Sequence, residues 1–408
     1  MKTNEKDTKQ GIVPALRFPE FQKSEVWKTD VVDNLISTIS PPYKLNTPEY
    51  QQEGKYPIVD QSQYLYCGWT NDSSVVLFQQ LPLIIFGDHT CVIKLIHHPF
   101  AQGADGIKII KSKPDIDIHF LYQCLQYKPI IQESYKRHFA LLKSKIVAYP
   151  SKETGEQQKI ADCLTSIDAL IKATENKIDV LKAHKKGLMQ QLFPAEGKTV
   201  PIFRFPEFQN AGEWKPYKLN DFGSFFRGLT YSTADVSNNN EGIGVLRSTN
   251  IQNNRLILDK DLVFVNKTCS SEQRLQKGDI VICMSNGSKA LVGKNAELDQ
   301  DISYDLTVGA FCSIFRPKNV FAKYLLQTDS YTKFVALAIG GGNINNLKNS
   351  DLENFVQFAP TKPEEQKKIA DCLSSVDDLI MAQANCLEAL RSHKKGLMQQ
   401  LFPNIDEC

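Results

Sequence analysis

From Ile160 onward the apolar residues of this chain step by four and three in alternation. They run Ile160, Leu164, Ile167, Ile171, Ile178, Leu181, Leu188 and Leu192, with Thr174 and Lys185 filling the gaps. A second stretch repeats the steps as Ile369, Leu373, Val376, Ile380, Leu387, Leu390, Leu397 and Leu401, with Gln383 and Lys394 in the gaps. A period of about 3.5 residues predicts two long helices, each turning a narrow seam toward a partner helix as in a coiled coil; a helix lying on a globular core would show a wider stripe. Thr154 precedes Gln157, and Thr361 precedes Glu364, at capping-box spacing, while Pro194 and Pro403 mark the stops. Gly187 and Gly396 are expected to weaken the last turns. Elsewhere short apolar runs predict strands at 75–78, 83–86, 280–284 and 310–315, and a helix at 118–126.

The helices belong to a duplication. Glu156-Gln157-Gln158-Lys159-Ile160-Ala161-Asp162-Cys163-Leu164 returns as Glu365-Gln366-Lys367-Lys368-Ile369-Ala370-Asp371-Cys372-Leu373, and the eleven residues from His184 to Pro194 return unchanged from His393 to Pro403. Each half also opens alike: Arg17-Phe18-Pro19-Glu20-Phe21-Gln22 with Trp27-Lys28, then Arg204-Phe205-Pro206-Glu207-Phe208-Gln209 with Trp214-Lys215. The offset grows from 187 at the opening to 209 at the helix, so the second middle is 22 residues longer. Those middles do not align. This layout predicts an arm (1–15), a variable domain (16–150), a helix (151–194), a linker (195–203), a second variable domain (204–360), a second helix (361–403) and a tail (404–408). The expected fold class is α+β, or mixed: two α/β domains separated by an antiparallel pair of long helices, pseudo-twofold within one chain. The alternatives for the helices are packing on their own domains only, or a homodimer seam.

Composition narrows the classes only a little. The chain has 408 residues, 42% hydrophobic and 23% charged, enough for two or three soluble domains. No run approaches the ~20 apolar residues of a membrane span, and the stretch from Met1 to Asp7 is too polar for a signal peptide. Ten cysteines without a Cys-x-x-Cys pair suit free thiols in a reducing cytoplasm. A net charge of +2 is low for a protein that would grip nucleic acid alone, so any such role needs local charge or partners.

The helix sequence, Lys-Ile-Ala-Asp-x-Leu followed by Lys-Lys-Gly-Leu-Met-Gln-Gln-Leu-Phe-Pro, resembles the specificity subunit of Type I restriction-modification systems. The middles are similar to its target-recognition domains at Gly54-Lys55-Tyr56-Pro57, at 82–90 and at 100–106, then at Leu246-Arg247-Ser248-Thr249-Asn250-Ile251, Gly278-Asp279-Ile280-Val281 and Gly340-Gly341-Gly342-Asn343. The resemblance implies a bipartite reader of double-stranded DNA. Each domain reads one half of an asymmetric site, and the helical rod sets the gap. The rod also docks two methyltransferase subunits, which bring S-adenosylmethionine for adenine N6 methylation. Restriction subunits, using ATP and magnesium, join to cleave. None of that chemistry is implied for this chain, so no catalytic, cofactor or metal residue is expected in it. A helix of about 33 residues at ~1.5 Å rise spans roughly 50 Å, on the order of fifteen base pairs.

Three motifs invite catalytic readings and are read structurally instead. Ser40-Pro41-Pro42-Tyr43 has the form that holds a target amino group in amino-methyltransferases, but the Gly-rich cofactor loop after a strand is missing, and a proline turn is expected. Gly87-Asp88-His89-Thr90 has no nucleophile beside it and is read as a strand-end loop. Cys67, His89, Cys91, His97 and His98 match no common zinc spacing. Base reading calls for Arg, Lys, Asn, Gln, Ser or Thr on loops. The candidates are Trp69, Thr70, His89, Thr90, Lys94 and Lys108 in the first domain. In the second they are Arg247, Ser248, Asn250, Gln252, Asn253, Arg255, Ser285, Asn286, Ser288, Lys289, Asn343, Asn345, Asn346 and Lys348. Lys185, Lys186, Lys394 and Lys395 are expected to touch phosphates, to snorkel at the helix ends or to face a partner. A scaffold without DNA affinity and a divergent DNA methyltransferase are the competing functions; duplex binding and cofactor titration separate them.

Overall fold

The computed structural model describes residues 12–78, 80–104, 106–133, 136–239, 241–340 and 345–405. The chain forms two compact units, Met1–Lys177 with Gln383–Cys408, and Ile178–Ala382. Most of the expected arm and the last three residues of the tail lie outside the described residues.

Unit one is built on a four-stranded antiparallel sheet in the order β2 (Ile36–Ile39), β9 (Ile107–Ser112), β6 (Leu83–Gly87), β7 (Ile93–Ile96). Strand β6 is buried at every position. Its run Leu83-Ile84-Ile85-Phe86 does not alternate with polar residues because both faces are covered. Leu83 and Ile85 pack with Phe100, whereas Ile84 and Phe86 pack in the cluster that holds Phe120 and Leu121 of helix α2 (Ile118–Tyr127). Asp117 starts α2 by accepting the His119 and Phe120 N–H groups, both at 2.9 Å. A second sheet runs β4 (Gly68–Thr70), β3 (Tyr56–Val59), β8 (Phe100–Gln102), β5 (Val76–Leu77), with β3 and β8 parallel. The ribbon of β1 (Lys28–Val31) and β10 (Ile146–Tyr149) joins the two ends of the domain. Short helices α1 (Val32–Leu35) and α3 (Phe139–Ser144) complete it.

Unit two repeats this plan although its sequence does not. Its sheet runs β12 (Gly223–Arg227), β20 (Cys312–Pro317), β17 (Ile280–Cys283), β18 (Asn295–Glu297), and β15 (Arg255–Leu256) and β14 (Ile251–Gln252) extend the edge. Strand β17 is also buried throughout, with Ile280 and Ile282 in one cluster and Val281 and Cys283 in another. A second sheet orders β16 (Val263–Val265), β13 (Ile243–Leu246), β19 (Leu306–Val308), again with a parallel pair, β13–β19. The closing ribbon is β11 (Lys215–Lys218) with β21 (Val356–Ala359). Helices α5 (Phe321–Leu325), α6 (Asp329–Ala338) and α7 (Asn349–Glu353) cover one side. Two sequence expectations shift here. Residues 73–75 form a 3-10 turn before β5, and 309–311 form a turn before β20, so neither strand starts where its apolar run does.

The long helices are α4 (Glu156–Leu192, 37 residues) and α8 (Pro363–Leu401, 39 residues). Each runs from one unit into the other. Every seam position named from the sequence is buried or half-buried in both helices. In unit one, Lys394 of α8 pairs with Asp168 of α4 at 2.7 Å, and Arg391 pairs with Glu175 at 2.9 Å. In unit two, Lys185 of α4 pairs with Asp377 of α8 at 2.7 Å. In unit one residue numbers rise on α4 as they fall on α8, so the paired segments there are antiparallel. Lys394 also donates to Gln126, and Lys185 to Gln327. These two lysines are therefore held by the helix pair and its domain and are not presented to phosphates, while Lys186 and Lys395 are exposed.

At the first helix the expected capping box is replaced. The Gln157 side chain turns inward, donating to the Asp115 and Pro150 carbonyls and accepting the Asp117 N–H, and Thr154 Oγ1 accepts the Glu156 N–H instead. Gln366 makes the matching bond to the Pro360 carbonyl. Both helices continue past their glycines, to Leu192 and Leu401. Leu192 and Phe193 are buried in the core of unit two, and Leu401 and Phe402 in that of unit one, which offsets the ~1 kcal/mol cost of Gly187 or Gly396.

The repeated opening is a clasp on the start of each helix. The Arg17 guanidinium forks onto Glu156 at 2.7 Å from both Nε and Nη2, and Arg204 does the same to Glu365. Both carboxylates are almost fully buried. Glu20 and Glu207 reach Lys159 and Lys368 at 3.3 Å, and those ammonium groups lie over Phe18 and Phe205. The two motifs recur together because they touch.

Candidate nucleic-acid interface

In unit two the ends of β12, β13, β17 and β19 deliver four loops to one place. Gly309 donates to the Leu246 carbonyl at 2.8 Å, and Leu229 donates to the Val308 carbonyl at 2.7 Å, which ties three of them. The crossing is so close that a Cβ on Gly228 would lie 2.1 Å from the Gly309 oxygen. The fourth loop joins through Met284 and Ser285, whose N–H groups both donate to the Phe311 carbonyl, at 2.8 and 3.2 Å. Between the loops is a pocket of about 720 Å³ whose lining includes Tyr231, Arg247, Ser248, Ser285, Asn286 and Phe311. Asn286 Nδ2 donates to Ser248 Oγ at 3.1 Å. Asn345 Nδ2 donates to the Gly287 carbonyl at 3.1 Å, and Asn346 bridges Ser285. Arg247 is exposed, and its Nη2 donates to the Asp261 carbonyl at 3.1 Å, which anchors the guanidinium at the rim.

Six of the candidates in this unit therefore converge: Arg247, Ser248, Ser285, Asn286, Asn345 and Asn346. Ser288 is exposed nearby, with its N–H bonded to Asn286 Oδ1. Others stand apart. Asn250 is buried, and its amide is spent on the Ile257 and Lys260 carbonyls, so it is a loop brace and not a reader. Gln252 and Arg255 flank a hairpin tip, where Asn253 and Asn254 take positive φ. Asn253 and Lys289 line a different groove, beside the end of α4. Lys348 is exposed at the start of α7, and Asn343 lies outside the described residues.

Unit one builds the equivalent place with other side chains. Gly103 donates to the Val59 carbonyl at 2.9 Å, and Asp88 donates to the Gly106 carbonyl at 2.6 Å, bonds that correspond to those of Gly309 and Met284. His89 and Thr90 stand at this strand end. Thr90 Oγ1 donates to the Gln61 carbonyl, and His89 Nδ1 faces the Lys136 carbonyl at 3.2 Å. Asp88 has no catalytic posture: its buried carboxylate accepts the His138 and Phe139 N–H groups and closes the first turn of α3. Lys94 leaves the candidate set, because its buried ammonium donates to the Asp60 and Tyr64 carbonyls. Burial pulls its pKa below the ordinary lysine value, against the nearby Asp60 carboxylate. What Lys94 does is pin a loop that holds Tyr64 76% exposed. Thr70 is likewise buried and accepts the Asp72 N–H, so it too is structural. Trp69 lies against Tyr66, with ring centroids 5.9 Å apart. Lys108 lies over the Phe139 ring on β9.

Sequence reasoning missed the exposed aromatic residues, Phe311 at 70% and Tyr64. In sequence a loop phenylalanine looks like core. The one trace was the dipeptide Gly103-Ala104 recurring as Gly309-Ala310 directly after the second strand of each parallel pair, β8 and β19. Ser40-Pro41-Pro42-Tyr43 is a surface turn after β2. Partial burial pushes the Cys67 thiol up to about 12, away from a reactive thiolate. Among the described residues no three His, Cys, Asp or Glu gather as a metal site, and no helix is long and apolar enough to cross a membrane.

A family profile described as the Type I restriction modification DNA specificity domain matches residues 32–183 and, again, residues 211–390. The chain belongs to that family. Among its relatives, the Type I restriction enzyme EcoKI specificity subunit of Escherichia coli strain K12 is 33% identical over 186 residues, which is 43% of this chain and 38% of the relative. The StySPI specificity subunit of Salmonella potsdam is 31% identical over a similar stretch, again 38% of its length. The MjaVIII specificity subunit of Methanocaldococcus jannaschii is 24% identical over 417 residues, 95% of this chain and 93% of the relative. The crystal structure of the Type I restriction-modification S subunit from M. genitalium has the same fold, with a TM-score of 0.62 at 16% identity over 97% of this chain and 100% of that one.

Proposed function

We propose that this chain is the DNA specificity subunit of a Type I restriction-modification complex and carries no catalysis of its own. The observation behind this reading is that both units bring the same strand-end loops together, on one repeated frame, while the side chains on those loops differ. A frame held constant and two unlike faces suit a bipartite, asymmetric site. In this reading residues 16–150 and 204–360 are the readers, and residues 151–194 and 361–403 set the spacing between the half-sites. Arg247, Ser248 and Asn286 offer hydrogen-bond groups to base edges, and His89, Thr90 and Lys108 take the corresponding place in unit one.

A net charge of +2 leaves part of the phosphate grip to other subunits. Two methyltransferase subunits dock on the helices and supply S-adenosylmethionine; restriction subunits supply ATP-dependent, magnesium-dependent cleavage. Leu170 and Leu379 occupy equivalent positions of the two helices and are 55% and 53% exposed, matched apolar points for two copies of one partner. The work is done on DNA in the cytoplasm.

The test is methylation mapping in cells that carry the full system, joined to duplex binding by the assembled complex across a salt series. A single two-part motif with a fixed gap, bound more weakly as salt rises, is expected. Binding without sequence preference would leave a scaffold, and S-adenosylmethionine binding by the isolated chain would make it a methyltransferase.

A further inference from the structure

Phe311 displays an aromatic ring on a turn whose backbone is held from several sides. Its carbonyl is fixed by two N–H donors, from Met284 and Ser285, and the glycine before its turn is fixed by Leu246. Three backbone hydrogen bonds therefore hold the turn, yet the ring is 70% exposed. It stands at the mouth of the pocket shared with Arg247, Ser248 and Asn286. A large apolar group held out to solvent at a pocket, among convergent hydrogen-bonding groups, has the makeup of a recognition element, apolar surface for affinity with a few polar groups for orientation.

We propose that Phe311 is a base-reading residue of unit two, pressing its ring on the C5 edge of one pyrimidine in the major groove while Arg247 addresses the neighbouring base. This rests on the reading of the chain as a DNA specificity subunit. The chemistry favours the major groove, where the thymine methyl is the apolar feature among the donors and acceptors. A rigid ring distinguishes that methyl from the bare C5–H of cytosine without any hydrogen bond. An arginine fork next to it matches the O6 and N7 acceptors of guanine. Every base pair contains one pyrimidine, so a contact of this kind exists for whatever half-site unit two reads.

The experiment uses the assembled complex and duplexes carrying its mapped motif, with the C5 group altered one position at a time: thymine to uracil, and cytosine to 5-methylcytosine. For the wild-type complex, one pyrimidine of the half-site read by unit two is expected to be sensitive, with a change of roughly fourfold per methyl. For Phe311→Ala, binding to the unmodified duplex is expected to fall by at least that factor, and sensitivity at that position to vanish. Phe311→Leu, which keeps an apolar surface, is expected to retain part of it. Melting curves of the variants confirm folding, which the ring's exposure leads one to expect. Sensitivity at that position persisting in Phe311→Ala overturns the proposal, as does the absence of any sensitive pyrimidine. A variant that binds DNA normally but fails to assemble with its partners also overturns it, by making the ring a subunit contact. Wild-type complex with no sequence-dependent binding at all would instead sink the specificity reading itself.

Discussion

Arg17 and Arg204 show what a single residue contributes to the frame. Each guanidinium is nearly inaccessible and forks onto a carboxylate that is more buried still, with side-chain exposures of 6% and 0% for the Arg17–Glu156 pair. The Glu156 hydrogen bonds raise the Arg17 pKa above its ordinary value, despite the opposing effect of burial. In unit two the Trp214 Nε1–H adds a third donor to Glu365 at 3.2 Å. Such a pair gains little over an apolar substitute, yet removing one partner strands a buried charge. Arg17→Ala is therefore expected to destabilise unit one by about 3–5 kcal/mol. Arg17→Lys should recover only part of this, since an ammonium cannot supply the two-pronged fork. Replacing Arg17 and Glu156 together with methionine should cost much less than Arg17→Ala alone. Urea titration of the four proteins checks the order; equal losses for the alanine and double-methionine proteins would mean the charge is not what matters.

At the scale of elements, the helices were the most legible part of the sequence and the two sheet-built domains the least. A 3.5-residue seam is written in side-chain type alone, and every seam position is covered. Strands β6 and β17 could be read as buried from their unbroken apolar runs. The shared order of the sheets, β2-β9-β6-β7 and β12-β20-β17-β18, could not, because strand pairing depends on contacts far apart in the chain and tolerates any side chain that fills the space. For the same reason Lys94 and Asn250 looked like readers: polarity says nothing about whether a group faces water or a buried carbonyl. Helix length carries the sharpest functional consequence. One heptad added in register to both α4 and α8 keeps the seam and adds ~10 Å of helix, close to three base pairs. The mapped half-sites are expected to stay the same while the gap between them grows by about three. An unchanged gap in a folded, active complex would separate helix length from site spacing.

At the scale of the whole chain, each unit closes its own frame in a way that chain order hides. In unit two the Phe203 N–H donates to the Gln191 carbonyl at 3.0 Å, where the chain folds back along the end of α4 after a short linker. In unit one Leu16 makes the same bond to Gln400 at 2.9 Å, at the end of α8, although the two residues stand at opposite ends of the sequence. Leu16 and Phe203 are equivalent positions of the repeat, as are Gln400 and Gln191. The covalent link present in unit two is thus absent in unit one, while the contact it would serve is made all the same. A permuted chain that begins at Lys198, runs to Ile405, crosses a flexible linker of about ten residues to Ile12 and ends at Glu196 should therefore keep both arginine forks and both of these end bonds; such a linker reaches roughly 17 Å. It opens an exposed stretch between Pro194 and Thr199 that contributes little to either core. The permutant is expected to fold, to assemble with the same partners and to direct methylation to the same two-part motif. A permutant that folds but methylates a different motif, or the same half-sites at a different gap, would show that chain order, and not the frame of each unit alone, helps to fix the sequence that is methylated.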